Sequence, residues 1–330
     1  MTERLDIVGI GNAIVDVIAP VDDAFLAANG VTKGVMTLID RPRAAELYAA
    51  MPPAREVSGG SGANTIAGAA ALGCRAGFIG KVKGDQLGRI FAHDIRAAGV
   101  NYAGPVVNGE AAEETARSLI LVSPDGERSM NTYLGISTTL HAADIDEAML
   151  ERADWLYLEG YLFDTPEAKA AYARAIAAVR RGGGKVALTC SDPFCIDRHR
   201  ADFRRLIAEE VDLLFANRDE ALSLIETDSL EIALGVLSRE VAIAAVTLSG
   251  DGAVIVRGKS RTAVPAQGVD VVDTTGAGDL FASGFMAGLI RGHDDRKAAH
   301  MGCIAAGEII SHYGARPETD LAELMARNNL

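Results

Sequence analysis

Four cysteines in 330 residues, with no C-x-x-C pair among them, provide neither a disulfide framework nor thiolate metal-ligand spacing. Cys74, Cys190, Cys195 and Cys303 therefore read as buried or half-buried free thiols of a reducing compartment. Positive charge is also scarce. Thirty-two Lys and Arg against 45 Asp and Glu give a formal net charge of −13 without any dense basic run, so a nucleic-acid polymer would find no phosphate-binding footprint. No uncharged apolar run reaches membrane length, and no basic segment followed by a long apolar one opens the chain; the expectation is a cytoplasmic protein with no membrane contact. The P-loop pattern G-x-x-x-x-G-K-[ST] and the protein-kinase motifs are missing. Repeats, heptads and low-complexity linkers are missing too, which predicts one domain over 1–330.

What the chain does have is 49% hydrophobic residues, enough for a large α/β core, and several glycine-led turns. The most informative stretch is D-T-T-G-A-G-D at 273–279 followed by L-F-A-S-G-F-M-A-G-L-I at 280–290. The β-branched run 269–272 before it predicts a strand, and the apolar run after it a helix. Between them, the N–H groups of Gly276, Ala277 and Gly278 would meet the positive end of that helix and make an anion hole. Asp279 at its mouth suits two jobs, a helix cap or a general base taking a proton from an attacking hydroxyl.

Other segments supply polar groups at the ends of predicted elements. A buried-strand pattern over 5–10 runs into G-N-A-I-V-D at 11–16; the glycine needed for a dinucleotide fingerprint is replaced by Ile14. Asn12 and Asp16, four apart in extended chain, would lie on one face and hold a diol, or serve simply as a turn Asn and an exposed strand Asp. Gly59 and Gly60 precede Asn64 at the start of a helix of small residues, where glycine is costly unless backbone must approach a ligand closely. The segments 116–122 and 128–134 flank a Pro-Asp-Gly turn and read as a hairpin, with Arg128 projecting outward to solvent or to a phosphate. From 153 onward strands (155–158, 185–189, 211–215, 241–248) alternate with helices (166–181, about 201–209), the pattern of a parallel sheet covered on both faces. The run 253–256 returns from 241–248 as a hairpin. Ligands of such sheets sit beyond the carboxyl ends of the strands, which selects the loops at Tyr161, at 191–193 and at 217–220. Asn217 and Glu220 form a capping box by spacing; the same pair is suited to a place near a metal. Tyr161 would stack on a base or form part of the cleft wall.

D-T-T-G-A-G-D-x-F-x-x-G-F and G-G-S-x-x-N-x-x-x-A together resemble the two signatures of the PfkB, or ribokinase, family of carbohydrate and nucleoside kinases, and the resemblance spans nearly the whole chain. It implies a ribokinase-like three-layer α/β sandwich with a mostly parallel central sheet and a small β-lid, made by segments near 13–39 and 100–135. It also implies ATP with Mg²⁺, Asp279 as base, the backbone of 276–278 as anion hole, and Gly59, Gly60 and Asn64 on the acceptor. G-N-x-x-x-D, the Tyr161 loop, S-D-P-F and F-A-N-x-x-E-A are similar to the adenosine kinase branch. There Asn12 and Asp16 would hold a ribose and Tyr161 would cover the base. The family pattern further places Asn217 and Glu220 near Mg²⁺ through water, Thr247 and Gly250 near the nucleotide, and a potassium-type ion, bound mainly by carbonyls, between the Asp273 loop and 314–317. The expected reaction is phosphoryl transfer to the 5′-hydroxyl of adenosine, giving AMP as in purine salvage, by a monomer or homodimer. A sugar kinase and a catalytically silent sugar- or nucleoside-binding protein are the alternatives.

Overall fold

Aliphatic and β-branched runs form the strands of a nine-stranded sheet, whose order from one edge is Ser260–Val264, Ala253–Arg257, Ile243–Thr247, Leu213–Asn217, Lys185–Thr189, Ala153–Glu159, Leu5–Ile10, Ala76–Ile79 and Asn101–Tyr102. The computed structural model describes residues 3–109 and 113–330. All neighbours in this sheet pair in parallel except at the Ala253–Arg257 and Ser260–Val264 end, which is antiparallel. Successive side chains divide between the two faces as the strand period requires. Ile7, Trp155, Tyr157 and Phe215 join one core with Phe281 and Phe285, while Val8, Leu156, Leu158 and Val186 join the other with Tyr172 and Phe203. This is the ribokinase-like α/β fold, a large, mostly parallel sheet between two helical layers.

A second sheet of five strands, in the order Met36–Leu38, Arg128–Tyr133, Ala116–Val122, Ile14–Pro20 and Arg55–Gly59, branches from the first strand and stands over the carboxyl ends of the large sheet. Its register sets Asp16 beside Ser118 and Ser118 beside Thr132, with a Ser118–Thr132 hydroxyl hydrogen bond of 2.9 Å. Val15, Val17, Leu119 and Leu121 point the other way, into the core.

Several expectations need correction. The 269–272 run is not a strand: Val271 and Val272 are exposed, and the Val272 N–H bonds the Ile310 carbonyl instead of a sheet neighbour. The helix expected from about 201 begins at Pro193, is capped by Asp192, and carries a break in helical geometry at His199. Arg55–Gly59, not anticipated as a strand, is an edge of the small sheet. Of the segment 100–135, Asn101–Tyr102 belongs to the large sheet and Val106–Val107 pairs with Val82–Lys83, so only the 116–133 hairpin enters the small sheet.

The helices Ala277–Ile290 and Asp295–Ile309 pack backbone to backbone. A Cβ on Gly284 would lie 2.5 Å from the Met301 carbonyl oxygen, and one on Gly288 would lie 2.6 Å from the Ala298 Cα. Backbone cannot yield as a side-chain tip can, so a larger residue must push the helices apart. Gly284→Val is expected to lower unfolding free energy by about 3 kcal/mol, seen as a lower urea midpoint at unchanged slope. An unchanged midpoint would contradict this close packing.

Candidate active site

A cavity of about 560 Å³ lies between the small sheet and the carboxyl ends of the parallel strands. Residues at or just past those strand ends border it: Asn12, Glu159, Thr189, Asn217 and Thr247. The small sheet adds Ile14, Asp16, Leu38, Ile120 and Met130.

Two helix N-termini converge on the same space. Gly68, in Ser61–Ala71, lets that helix approach Ala277–Ile290 so closely that a Cβ would stand 2.4 Å from the Ser283 hydroxyl. Ser283 in turn donates to the Thr65 carbonyl at 2.8 Å. This contact aligns the first turns of both helices. The half-buried Asp279 carboxylate then accepts from the Ser61 hydroxyl at 2.6 Å and from Asn64 Nδ2 at 3.0 Å. Burial pushes the Asp279 carboxyl above its ordinary range, against the opposing effect of those two hydrogen bonds and of the Arg316 charge.

The turn ahead of Asp279 is built differently from the simple anion hole expected. Gly276 caps the helix with φ +80°, a conformation that glycine adopts without strain. The Ala277 N–H donates to the Thr274 carbonyl at 3.2 Å, so it is already engaged. Gly276 and Gly278 meet no backbone or side-chain acceptor among the described residues, which leaves their N–H groups for an anion. Asp273 holds the turn from behind: one oxygen accepts from the Thr275 N–H at 3.0 Å, and the other accepts from the Gly314 N–H at 3.1 Å and pairs with Arg128 at 2.5 Å. Arg128 therefore does not project to solvent. It is buried against the turn, also donating to the Thr275 hydroxyl at 3.0 Å, and it ties the small sheet to the glycine loop. Both Asp273 oxygens already accept hydrogen bonds and a guanidinium lies alongside, and the 273 and 314 segments meet through the Gly314 hydrogen bond.

Asn12, Asp16, Gly59, Gly60 and Asn64 are brought together. A Cβ on Gly59 would meet the Asp16 carboxylate at 2.3 Å, and one on Gly60, at φ +93°, would stand 2.3 Å from the Asn12 carbonyl oxygen. No hydrogen-bond donor of the described residues reaches the Asp16 carboxylate. Its pKa rises to about 6 through burial, with the charges of Arg316 and Arg128 opposing. Tyr161 borders the cavity and donates its hydroxyl to the Ser191 carbonyl at 3.1 Å. Asn217 and Glu220 form the complete capping box, with both Glu220 oxygens accepting from Asn217. Burial lifts the Glu220 pKa to about 7. A metal ion reaching Glu220 would fit through an intervening water, since direct ligation would displace the cap, and no cluster of three or more His, Cys, Asp or Glu residues poised to hold a metal occurs among the described residues. Thr247 borders the cavity, whereas Gly250 lies outside it, on a neighbouring hollow that Asn217 also borders.

Three residues here were not singled out from sequence. Ser61 lies inside the G-G-S motif, where the glycines drew attention first. Glu159 is fully buried at a strand end and accepts from Asn12 Nδ2 at 2.7 Å and from the Gly62 N–H at 2.7 Å. Arg316 binds the Ala63 carbonyl at 2.9 Å and the Ser58 hydroxyl at 3.1 Å, and burial lowers its pKa to about 10 although Asp16 and Asp279 support its charge. The signal for Glu159 was an acid ending an otherwise apolar strand; for Arg316 the sequence holds none.

Convergent helix N-termini, a carboxylate between them and a cavity at the strand ends define the α/β phosphotransferase class of site. The chain belongs to the pfkB family of carbohydrate kinases, whose profile matches residues 7–321. Among curated relatives, an ATP-dependent ribose-1-phosphate kinase of Halopiger xanaduensis is 32% identical over 292 residues, 88% of this chain and 93% of its own. Among solved structures, a probable sugar kinase from Rhizobium etli CFN 42 aligns at TM-score 0.92 and 47% identity, covering 99% of each chain. An adenosine kinase from Sinorhizobium meliloti aligns at TM-score 0.91 and 48% identity, over 99% of this chain and 100% of its own. The chain is therefore a kinase of a sugar or nucleoside.

The raised carboxyls have a consequence for stability. Asp16, Glu159 and Glu220 titrate near about 6, 7 and 7 in the folded protein, against roughly 4 for an unfolded carboxyl. The folded state thus binds protons more tightly, and this contribution is fully present below about pH 4 and lost as pH rises through about 7. Ligand-free protein should melt at a lower temperature at about pH 8 than at about pH 5.5, and Asp16→Asn should flatten that slope. A melting temperature that climbs across the same interval, or a slope indifferent to Asp16, would contradict the assignment.

Proposed function

We propose that the protein transfers the γ-phosphoryl group of ATP in line to the 5′-hydroxyl of a nucleoside, with adenosine as the preferred acceptor and AMP as product. The observation that carries this reading is the two-sided acceptor end of the cavity. Asn12, Asp16 and Asn64 present polar groups suited to a sugar. Beside them Ile14, Met36, Leu38, Ile120 and Met130 give the small sheet an apolar face, and Phe194, 73% exposed, and Tyr161 stand on the cavity rim. A free sugar has no use for so much apolar surface, whereas a purine would cover it. The similarity to the adenosine kinase of Sinorhizobium meliloti supports the same choice. A sugar kinase is the second reading, supported by the relatives named as a ribose-1-phosphate kinase and a probable sugar kinase.

In this reading Asp279 takes the proton of the attacking hydroxyl. Its raised pKa makes it a better base than an ordinary carboxylate, while Ser61 and Asn64 fix its direction. The Gly276 and Gly278 N–H groups face the transferring phosphoryl, and the two helix N-termini stabilise the charge gathered on its oxygens. Mg²⁺ entering with ATP would neutralise phosphate charge, with Glu220 within reach through water.

Asp279→Asn keeps an acceptor for Ser61 and removes the base. The variant should lose at least about a thousandfold in kcat while its melting temperature holds or rises, because a partly desolvated charge has been removed. Retention of more than about a tenth of the wild-type rate would sink the role of Asp279. A panel of adenosine, inosine, guanosine, cytidine, ribose, ribose 1-phosphate and fructose with ATP tests the acceptor. Adenosine should give the highest kcat/KM, and a free sugar or sugar phosphate outcompeting every nucleoside would refute the nucleoside reading.

A further inference from the structure

Asp279 and its partners Ser61 and Asn64 sit at the starts of two α-helices that lack a feature the others share. Every other α-helix among the described residues closes its first turn with an Asp, Asn, Ser or Thr side chain that accepts from a backbone N–H. Ser61–Ala71 and Ala277–Ile290 begin instead on Gly60, at φ +93°, and Gly276, at φ +80°, with no side-chain cap. A cap would occupy N–H groups that an anion needs. Without one, the two helix starts that must keep Ser61, Asn64 and Asp279 in register rest on the most flexible residue type.

Three consecutive residues near the carboxyl end supply the missing rigidity. The Gly314 N–H donates to Asp273, ahead of the second helix, at 3.1 Å. Ala315 lies behind Gly276, on which a Cβ would stand 3.1 Å from the Ala315 Cβ. The half-buried Arg316 spreads its fork across the other glycine turn: Nη1 donates to the Ala63 carbonyl at 2.9 Å and Nη2 to the Ser58 hydroxyl at 3.1 Å, and these two partners flank Gly59 and Gly60. A planar guanidinium holds its nitrogens at fixed spacing, so it fixes both partners at once. The segment is itself fastened at Glu308, which is buried. One of its oxygens accepts from the N–H groups of Glu318 at 3.0 Å and Thr319 at 2.8 Å, and faces His312 Nε2 at 3.2 Å.

We propose that Arg316 is a positioning residue for phosphoryl transfer: by bridging Ser58 and Ala63 across the Gly59–Gly60 turn, within a 314–316 brace that also backs Gly276, it takes the place of the absent helix cap and holds Ser61 and Asn64 on the Asp279 carboxylate. Its hydrogen bonds go to Ala63 and Ser58, so it acts on Asp279 through the helix start between them. Its charge also favours the ionised form of Asp279. This inference rests on Asp279 being the base, and is independent of which acceptor the enzyme prefers.

The test is a double-mutant cycle on kcat, read with whichever acceptor the wild-type panel selects. Arg316→Met keeps an apolar stem and removes both donors. Its kcat should fall at least about tenfold with KM for ATP little changed, and Arg316→Lys, which keeps a charged donor, should recover part of the loss. Ser61→Ala should then cost much less in the Arg316→Met background than in the wild type, because Arg316 acts through the hydrogen bond that Ser61 makes. A fraction of misfolded enzyme would lower kcat by the same factor with or without Ser61, so costs that multiply would overturn the proposal, as would a wild-type kcat in Arg316→Met. Should Arg316→Met not fold, Ser58→Ala removes one arm of the bridge with the arginine in place. It should lower kcat about threefold and show the same coupling to Ser61→Ala, and multiplied costs there overturn the proposal equally. Failure of Asp279 as the base is distinguishable, because it shows in Asp279→Asn with Arg316 intact.

Discussion

The site depends on one close contact between helices far apart in sequence. Gly68 admits Ser283, and the Ser283 hydroxyl closes on the Thr65 carbonyl at 2.8 Å. Because side chains lean toward a helix N-terminus, packing at this level aligns the turns just ahead of it, where Ser61 and Asn64 on one helix meet Asp279 on the other. A few tenths of an ångström matter here, since hydrogen bonds of 2.6 and 3.0 Å hold the carboxylate in a single direction. The backbone contacts of Gly284 and Gly288 with the following helix then fix the Asp279 helix from its other side.

An acidic chain must bind polyanions locally, against its own net charge of −13. In the proposed reading the solution is dipolar and directional: helix N-termini and two glycine N–H groups, with Arg128 and Arg316 nearby. Neither arginine is a free charge. Arg128 is paired with Asp273, and Arg316 is bound to a carbonyl and a hydroxyl between Asp16 and Asp279. A pair buried as deeply as Arg128–Asp273 adds little net stability, because desolvation offsets its Coulombic gain. Its effect is connection: it couples the small sheet, which forms one wall of the cavity, to the glycine turn ahead of Asp279. The same burial that lifts Asp16, Glu159 and Glu220 also raises Asp279, so the stability lost in neutral solution and the basicity proposed for Asp279 have one origin.

Much of this was legible in the chain, and what was not has identifiable causes. Most strands of the large sheet and the hairpin at 116–133 carry their own hydrophobic period and turn chemistry, so local reading sufficed for them, though not for the edge strands Asn101–Tyr102 and Ser260–Val264. The segment 269–272 has the composition of a strand but no neighbour to pair with, and composition cannot supply one. Arg55–Gly59 is the converse, a short polar stretch made a strand by pairing with Ile14–Pro20. At the site, Asn12, Asp16, Asn64 and Asp279 could be chosen because each sits at the end of a recognisable element. Arg128 was noticed, but its burial against Asp273 could not be read, because that partner lies 145 positions on and is visible only after folding. Glu159 and Arg316 owe their places to glycines and carbonyls contributed by distant segments.

The two halves of the site are also held by different kinds of structure. The catalytic half rests on helices fitted backbone to backbone, where any larger side chain is resisted. The acceptor half rests on one face of a five-stranded sheet, where alternation sets what the ligand meets. Asp16, Ser118, Thr132 and Leu38 lie in one cross-strand row, and Ile18, Ile120, Met130 and Met36 in the next. Residues between these rows, such as Val17 and Leu119, bury themselves on the opposite face and hold the register, since a slip of one would bring core to cavity. Positions facing the cavity are therefore free to vary in polarity without disturbing either the core or Asp279. One scaffold can accept a small sugar where these rows are polar, or a base-bearing one where they are apolar, with the phosphoryl-transfer half untouched. In this chain the row of Ile120, Met130 and Met36 is apolar throughout, and it is this surface that a base would cover in the proposed nucleoside reading.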